Sequence, residues 1–253
     1  MQHTRLSPDL FDRWRMLTSA ALDLLFPPTC LSCGQAGAAL CPACAQRVQP
    51  VPRPLCDHCG RQQAEPRLRC ALCQAEQEPP AIMLRAAALH TDPLRSAIHA
   101  LKYEDRPELA RPLARYLTAA FAAQSWRPYR AKIDAIVAVP LHAERLAERG
   151  YNQSDLLATA FGRATGLPCR PDWIARHAST RPQVGLSAEE RRANVAQAFA
   201  ADAAVAGRTL LLIDDVYTTG STLNACAAAA RTAGARAVFA LALAIPTDGE
   251  KDS

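Results

Sequence analysis

The apolar residues of this chain fall into short continuous runs separated by polar and helix-forming segments. Leu210 to Ile213, Ala135 to Val139 and Ala237 to Ile245 are uninterrupted apolar runs, which are typical of strands buried on both faces of a parallel sheet. The segment Met83 to His90 predicts an edge strand. Helix-forming segments stand between these runs, and this alternation predicts an α/β fold with a mostly parallel sheet flanked by helices.

Between the strands, apolar residues recur at the three- and four-residue spacing of helices. This spacing predicts helices over Pro93 to Tyr103, Glu108 to Phe121 and Asp155 to Ala164. An alanine-rich segment from Leu223 to about Ala233 predicts a fourth helix. Together with the strands, these helices predict one α/β domain over residues 81–247.

Residues 1–27 also carry apolar residues at helical spacing, which predicts an amphipathic helix. We expect it to pack on the body of the protein, with membrane contact as the weaker alternative. Asp23 interrupts its apolar stretch, so the segment does not have the form of a secretory signal. No apolar run approaches the roughly 18 residues that a transmembrane helix needs. We therefore expect a cytoplasmic protein without a membrane span.

Cysteine is the strongest signal in the composition. Eight of the ten cysteines form four CxxC pairs within residues 28–78, namely Cys30/Cys33, Cys41/Cys44, Cys56/Cys59 and Cys70/Cys73. In a reducing compartment such pairs are typical of zinc ligands rather than of disulfides. They predict a small module with one or two structural Zn²⁺ sites, because its few large apolar residues leave the metal to hold the fold. Sequential pairing is the simplest arrangement, and a crossed arrangement stays open.

The formal charge of +5 comes almost entirely from arginine, because lysine occurs only at Lys102, Lys132 and Lys251. A mildly basic balance permits a nucleic-acid partner without establishing one. Five arginines lie among the CxxC pairs and are candidate contacts to nucleic acid: Arg47, Arg53, Arg61, Arg67 and Arg69.

The segment after Ile213 concentrates the candidate chemistry. Asp214 and Asp215 are followed by Val216 and Tyr217, and then by a turn of hydroxyl residues and one glycine: Thr218, Thr219, Gly220, Ser221 and Thr222. N–H groups at a helix start favour a phosphate dianion, and a glycine lets the backbone approach it closely. The carboxylates can accept hydrogen bonds from vicinal ribose hydroxyls. The plainer alternatives are a solvated acidic pair and an ordinary helix cap.

In this order, the apolar strand, the acidic pair and the TTGST turn closely resemble the PRPP-binding loop of type I phosphoribosyltransferases. The resemblance implies that Asp214 and Asp215 are catalytic residues that hold the ribose. It also implies that the residues from Val216 to Thr222 bind PRPP or a related phosphoribosyl ligand, together with Mg²⁺. A Walker-type loop is excluded here, since no lysine follows the glycine.

Cationic residues elsewhere are candidates for binding the diphosphate. Arg145 and Arg149 follow the run at Ala135, lie four residues apart on one helical face and precede Gly150. In type I transferases this is the position of the loop that cradles pyrophosphate. Lys102 is a further candidate for phosphate contact, and a solvated helix end is the equal alternative for it. A solvated helix face is the alternative for the arginines.

The segment Arg181 to Phe199 combines proline, glycine and charge between the core strands. We expect a flap that begins as a loop and ends as a helix capped near Ser187. Arg191, Arg192 and Asn194 are placed to reach a ligand when such a flap closes and excludes water. An ordinary surface loop with a capped helix is the alternative.

Nearly the whole chain resembles the ComF family of ComFC-like competence proteins. The resemblance rests on five segments: LLFPPTC (Leu24 to Cys30), LKY (Leu101 to Tyr103), the stretch from VPL to RGYNQS (Val139 to Ser154), RPQVGLSAEERRANVAQAF (Arg181 to Phe199) and IDDVYTTGST (Ile213 to Thr222). It implies a type I phosphoribosyltransferase-like domain behind an N-terminal double zinc ribbon. It also implies a role in handling incoming single-stranded DNA during natural transformation, with DNA-uptake and recombination proteins as partners.

Three functions follow from these expectations. The first is a phosphoribosyltransferase, a pentosyl-transferring glycosyltransferase whose acceptor the sequence does not name. The second is a non-catalytic adaptor that binds single-stranded DNA and keeps a vestigial or sensory PRPP site. The third is a structural adaptor in which zinc is only a scaffold and neither ligand binds.

Overall fold

The computed structural model describes residues 27–75, 81–177 and 198–247. Nearly all of the predicted helix at 1–27 lies outside the described residues, as does the predicted linker at 76–80. Most of the predicted flap lies outside them too, including Arg191, Arg192 and Asn194.

The predicted mostly parallel sheet is confirmed. The strands in chain order are β1 (Met83–Leu89), β2 (Ala135–Ala138), β3 (Ile174–Arg176), β4 (Phe199–Ala201), β5 (Thr209–Val216) and β6 (Ala237–Ile245). Four of them form a fully parallel sheet in the spatial order β1-β6-β5-β2, while β3 and β4 form a separate antiparallel pair. The carboxyl ends of all four core strands therefore lie at one edge of the sheet, which is where α/β proteins bind ligands.

Helices connect the strands, as the spacing of apolar residues predicts. They are α3 (Leu94–Tyr103), α4 (Ala110–Ala122), α5 (Ala143–Arg149), α6 (Gln153–Thr165) and α7 (Ser221–Thr232), while the short α1 (Pro42–Gln46) and α2 (Ala71–Ala75) precede β1 among the cysteines. Short 3₁₀ turns occur at Pro107–Leu109, Gln124–Trp126, Arg130–Lys132 and Ala203–Val205. Within the described ranges, none of the helices is both long enough and apolar enough to cross a membrane.

The sheet separates two apolar cores. Successive residues of a strand point to opposite faces, so Leu211 and Ile213 of β5 join one core while Leu210 and Leu212 join the other. Side chains of α3, α4 and α6 fill the first core, and α7 with the β3–β4 pair covers the second. Both faces of the sheet are thus buried, which explains why its strands read as continuous apolar runs.

Two local predictions need correction. Strand β5 is longer than the apolar run Leu210 to Ile213: it begins at Thr209 and continues through the acidic pair to Val216. Phe199, predicted as the end of a helix, instead begins β4: its backbone pairs with Arg176 of β3 and its ring is buried in the second core. Local helical spacing misses this strand, because its partner lies more than 20 residues away in the chain.

The cysteine module covers the free edge of β1. The N–H of Leu84 donates to the carbonyl of His58 at 2.8 Å, and the N–H of Leu89 donates to the carbonyl of Gln49 at 2.8 Å. These bonds satisfy edge groups that would otherwise be open to pairing with another chain. The hydroxyl of Tyr116 in α4 adds a third anchor, because it donates to the carbonyl of Ala45 at 3.0 Å.

Arg85 of β1 fixes the CxxC turn that begins at Cys56. Its buried guanidinium donates to the carbonyl of Asp57 at 2.8 Å, and to those of His58 at 3.3 Å and Cys56 at 3.4 Å. Gly60 follows this turn with φ at +68°, and a Cβ there would lie only 2.7 Å from the carbonyl oxygen of Leu84. The turn therefore needs glycine both for its conformation and for its close approach to the strand.

We predict that Gly60→Ala destabilises the protein more than Gly34→Ala. Gly34 holds the equivalent place after the first CxxC turn, with φ at +74° and nothing within 4 Å of an added Cβ. Both variants lose about 1 kcal/mol to a left-handed alanine, but only Gly60→Ala adds overpacking against backbone, which costs about 1–3 kcal/mol more. Thermal unfolding of the two variants measures the difference. Equal shifts in Tm would show that the turn does not rest on β1.

Candidate functional site

The eight CxxC cysteines form two separate clusters in sequential pairing. One contains Cys30, Cys33, Cys41 and Cys44, the other Cys56, Cys59, Cys70 and Cys73, and within each cluster all Sγ atoms lie within 4.8 Å of one another. The separations Cys33–Cys41, Cys59–Cys70 and Cys56–Cys73 are 3.7, 3.6 and 4.0 Å. A zinc tetrathiolate with Zn–S near 2.3 Å has S–S edges of about 3.8 Å. Both clusters therefore fit a closed structural Zn²⁺ site.

One thiol in each cluster is prepared for ionisation. Burial opposes the thiolate of Cys30, but N–H groups of Cys41, Ser32 and Cys33 outweigh it and lower the pKa of Cys30 to about 6. Burial likewise opposes the thiolate of Cys56, and backbone N–H groups led by that of Cys59 lower its pKa to about 7. Since thiolates rather than thiols bind zinc, these two residues are the readiest ligands of their clusters.

The second candidate site lies at the carboxyl edge of the parallel sheet. Three segments that leave core strands meet there: the loop after β5, the helix α5 after β2, and the end of α3 after β1. They bring together most of the described residues that the sequence marks as candidates, among them Asp215, Lys102 and Arg149.

Asp214 and Asp215 are both buried, and their oxygen atoms are unequally satisfied. Oδ1 of Asp214 accepts from the hydroxyl of Ser154 at 3.0 Å and from the N–H of Asp215 at 2.9 Å. Oδ1 of Asp215 accepts from the N–H of Val216 at 2.6 Å. Oδ2 of Asp215 accepts no hydrogen bond within the described parts of the chain. Its charge is balanced instead by an ion pair with a lysine.

Lys102 supplies the charge that balances this oxygen. Its ammonium nitrogen lies 2.6 Å from Oδ2 of Asp215, as an ion pair outside hydrogen-bond geometry. The Lys102 side chain is only 20 % exposed, so the solvated helix end considered as its alternative is wrong. Lys102 is in the last turn of α3, where a cation is also favoured by the helix dipole.

The pKa of Asp214 is raised to about 7, first by burial and then by the neighbouring charge of Asp215. The hydrogen bonds from the Asp215 N–H and from Ser154, with the charge of Lys102, act in the opposite direction. A buried carboxyl whose pKa is raised in this way is typical of a functional site.

The loop from Thr218 to Ser221 presents unpaired N–H groups at the start of α7. The N–H groups of Thr219 and Gly220 donate no hydrogen bond within the described ranges. Gly220 precedes the helix with φ at +88°, and a Cβ there would lie 2.7 Å from the ring of Tyr217. The hydroxyls of Thr219 and Ser221 lie 2.8 Å apart and face solvent. The loop thus has the open donors that an oxyanion requires.

The two predicted arginines line a cleft beside the carboxylates. Arg145, Arg149 and Lys102 border a cavity of about 200 Å³, together with Tyr103, Asp105 and Glu148. Arg149 stacks over the ring of Tyr103 at 5.1 Å and bonds to the side chain of Gln153. Arg145 is mostly exposed and pairs with Glu148 at 3.2 Å. Gly150 ends α5 in the left-handed conformation.

Residues after Gly150 join the three segments, a role that the sequence alone did not indicate. Tyr151 donates its hydroxyl to the carbonyl of Leu101 at 2.6 Å, next to Lys102. Asn152 caps α6 and donates to the carbonyl of Val139, at the end of β2, at 3.0 Å. Together with the hydrogen bond from Ser154 to Asp214, these bonds tie residues 151–154 to α3, β2 and β5.

Ser154 and Arg61 also have roles at this edge that the sequence did not predict. Ser154 is inside the RGYNQS segment, and that segment was the available signal for it. Arg61 belongs to the cysteine module, yet it donates to the carbonyl of Thr218 at 2.8 Å across 157 positions of sequence. No local pattern predicts a contact of that separation.

We predict that Asp214→Asn makes the protein more stable at pH 8 and leaves it nearly unchanged at pH 4. The folded state keeps the Asp214 proton up to about pH 7, whereas the unfolded chain loses it near pH 4, so stability falls as pH rises between these values. Asparagine retains an acceptor for Ser154 and for the Asp215 N–H but cannot ionise. The expected gain at pH 8 is roughly 1–3 kcal/mol.

Thermal unfolding of both proteins across pH 4–8 measures this effect, with the exposed Asp172→Asn as the control. A variant that is less stable than the parent protein at pH 8 would contradict the assignment of a strained buried carboxylate.

Similarities to known proteins cover both parts of the chain. Residues 21–75 match the double zinc ribbon domain. The α/β part is similar to the allosteric regulatory enzyme of purine biosynthesis, at 19 % identity and a TM-score of 0.37, over 53 % of this chain and 25 % of that enzyme. It is also similar to a hypoxanthine phosphoribosyltransferase from Trypanosoma cruzi, at 15 % identity and a TM-score of 0.33, over 59 % of this chain and 72 % of the other.

Curated relatives match over most of their length. The chain is 34 % identical to DNA utilization protein YhgH of Escherichia coli K12, over 79 % of this chain and 87 % of that protein. It is 34 % identical to competence protein F of Haemophilus influenzae, over 73 % and 81 % of the two chains. Competence protein ComFC of Bacillus subtilis is 24 % identical over 73 % and 75 %. With this likeness and the double zinc ribbon, the chain belongs to the ComF family.

Proposed function

We propose that this protein binds PRPP at the carboxyl edge of its sheet and acts as a phosphoribosyltransferase in the use or uptake of DNA. The observation that carries the proposal is the loop of unpaired N–H groups at the start of α7, next to the buried pair Asp214 and Asp215. A protein that only needed a stable fold would gain from apolar residues at this position.

Each part of PRPP has a counterpart in the site. The N–H groups and hydroxyls of the loop from Thr218 to Thr222 bind the 5′-phosphate. Asp214 and Asp215 accept hydrogen bonds from the ribose hydroxyls. Arg145 and Arg149 bind the diphosphate in the cleft that they line with Lys102. The flap residues Arg191, Arg192 and Asn194 stay predicted contacts from outside the described ranges.

Mg²⁺ would enter the site with PRPP. Carboxylate oxygens such as those of Asp214 and Asp215 are hard ligands of the kind that Mg²⁺ prefers, and Lys102 would have to leave Oδ2 of Asp215 for the ion to bind there. When bound with PRPP, Mg²⁺ would neutralise part of the diphosphate charge. The protein's own contribution is to bury Asp214, which raises its pKa, and a bound Mg²⁺ ion would favour its carboxylate form.

The reaction that this arrangement supports is substitution at C1 of the ribose. The bond from C1 to the diphosphate oxygen breaks, the leaving pyrophosphate keeps the electron pair, and an acceptor nucleophile forms the new bond to C1. Arg145 and Arg149 stabilise the charge that develops on the pyrophosphate. The loop holds the 5′-phosphate, the acidic pair holds the ribose hydroxyls, and together they orient C1 for attack. Catalysis therefore rests on positioning and on charge stabilisation.

A second function, binding of single-stranded DNA, is favoured by a separate observation. The cysteine module displays arginines that the site does not use, such as Arg67, whose side chain is 60 % exposed. Relatives named for DNA utilization and for competence favour a role in handling DNA. DNA-uptake and recombination proteins stay expected partners. We place the protein in the reducing cytoplasm, where eight thiols stay available for zinc. An adaptor with a vestigial PRPP site is the alternative.

We predict that replacing both Asp214 and Asp215 with Ala abolishes PRPP binding and leaves DNA binding intact. Loss of two charged hydrogen-bond acceptors should weaken PRPP at least about 100-fold. Calorimetry with PRPP and Mg²⁺ measures the first effect, with Asp172→Ala as an exposed control. Retention of single-stranded DNA at increasing salt measures the second, and it should fall steeply with salt because phosphate neutralisation releases counterions.

The outcomes separate the candidate functions. No PRPP binding by the unaltered protein would end the transferase proposal. PRPP binding without pyrophosphate release, in a screen of nucleobase and amine acceptors, would favour the sensory alternative. Binding of neither PRPP nor DNA would leave the structural adaptor.

A further inference from the structure

One side chain of the cysteine module reaches the phosphate loop. Nη2 of Arg61 donates to the carbonyl of Thr218 at 2.8 Å and to the carbonyl of Thr219 at 3.2 Å. The guanidinium also lies over the ring of Tyr217, 4.8 Å from its centroid. Tyr217 is buried, and Gly220 packs closely against the edge of its ring. Arg61 and Gly220 thus both pack on the Tyr217 ring, and these contacts fix the turn of the loop between Tyr217 and Gly220.

The contact sets the direction of the loop's donors. In a trans peptide unit the C=O and the following N–H point in opposite directions. When Arg61 holds the carbonyls of Thr218 and Thr219 toward itself, the N–H groups of Thr219 and Gly220 point away from it. These are two of the unpaired N–H groups of the loop. Arg61 therefore orients donors that it does not touch.

The second cysteine cluster holds Arg61 in place. Arg61 follows Cys59 and Gly60 directly, and its own carbonyl accepts from the N–H of Cys56 at 2.8 Å. Both cysteines belong to the cluster completed by Cys70 and Cys73. The first cluster makes no such bond to the loop within the described residues.

We propose that Arg61 is a positioning residue for the phosphate loop, and that it couples Zn²⁺ binding at the second cysteine cluster to ribose 5-phosphate binding. The inference rests on the proposed function, because it takes the loop to be the 5′-phosphate site. It gives the zinc module a role in ligand binding beyond holding its own fold. Because coupling between two sites is reciprocal, the sugar phosphate should also stabilise the metal in that cluster.

Calorimetry with ribose 5-phosphate and, separately, with pyrophosphate and Mg²⁺ tests the positioning role. Arg61→Ala should weaken ribose 5-phosphate about tenfold, the effect of losing one charge-assisted hydrogen bond, and leave pyrophosphate within about twofold because its site lies elsewhere. Arg61→Lys keeps the charge but loses the planar fork, so it should recover little of the affinity. Arg67→Ala removes the same charge from the same module without touching the loop, and should bind as the parent protein does.

Four results would overturn the positioning role. They are unchanged ribose 5-phosphate affinity in Arg61→Ala, full recovery by Arg61→Lys, equal loss in Arg67→Ala, and equal loss of both ligands in Arg61→Ala. The first would show that Arg61 does not orient the loop, and the other three point to bulk charge or general damage rather than to loop geometry. If the parent protein binds pyrophosphate but not ribose 5-phosphate, the proposed phosphate loop itself is wrong, and the inference falls with it.

Release of zinc to a chromogenic chelator tests the coupling without any catalytic readout. Ribose 5-phosphate should slow the release of one of the two Zn²⁺ ions in the parent protein and in Arg67→Ala, but not in Arg61→Ala. Slowing of neither ion in the parent protein, or equal slowing in Arg61→Ala, would contradict the coupling.

Discussion

The burial of two adjacent carboxylates at the end of β5 is the constraint on which the rest of the site depends. A buried charge must be paired or hydrogen-bonded: Asp214 is hydrogen-bonded to Ser154, and Asp215 is paired with Lys102. Ser154 and Lys102 come from α6 and α3, so satisfying the pair draws both helices to the same edge of the sheet. Oδ2 of Asp215 depends on the ion pair alone, without a hydrogen bond from the described residues. A ligand that binds this oxygen must therefore compete with Lys102.

A second constraint is the free edge of the sheet. Strand β1 is the outer strand beside β6. Its edge N–H groups donate to His58 and Gln49 of the cysteine module, and its Arg85 side chain donates to Asp57 there. Without metal, a module so poor in large apolar residues has little to hold it together. Zinc therefore stabilises more than its own clusters, since the same module protects the sheet edge and reaches the phosphate loop through Arg61.

Much of this architecture could be predicted from local sequence. Strands buried on both faces are continuous apolar runs, so β2, β5 and β6 were predictable to within a few residues. The CxxC pairs and the Asp214–Thr222 segment have their functional groups on neighbouring residues. Residues so close in sequence stay close in space in any fold. The same holds for Arg145 and Arg149, which are one helical turn apart and line one cleft. The candidate residues for metal, phosphate and diphosphate therefore follow from short stretches of sequence alone.

What local sequence could not provide are contacts between distant segments. Phe199 was assigned to a helix because its strand partner, Arg176, lies beyond the predicted flap. The sequence does not distinguish Arg61 from the four other arginines among the CxxC pairs, but in the structure it donates to the carbonyls of Thr218 and Thr219. The raised pKa of Asp214 likewise depends on burial by elements from across the chain.

A crystal structure of the protein grown with PRPP and Mg²⁺ tests the central claim most directly. We expect the 5′-phosphate within hydrogen-bond distance of the N–H groups between Thr218 and Thr222, with the ribose hydroxyls on Asp214 and Asp215. PRPP bound away from this edge would contradict the claim. So would Asp214 and Asp215 side chains that keep their contacts to Ser154 and Lys102 and make none to the ribose.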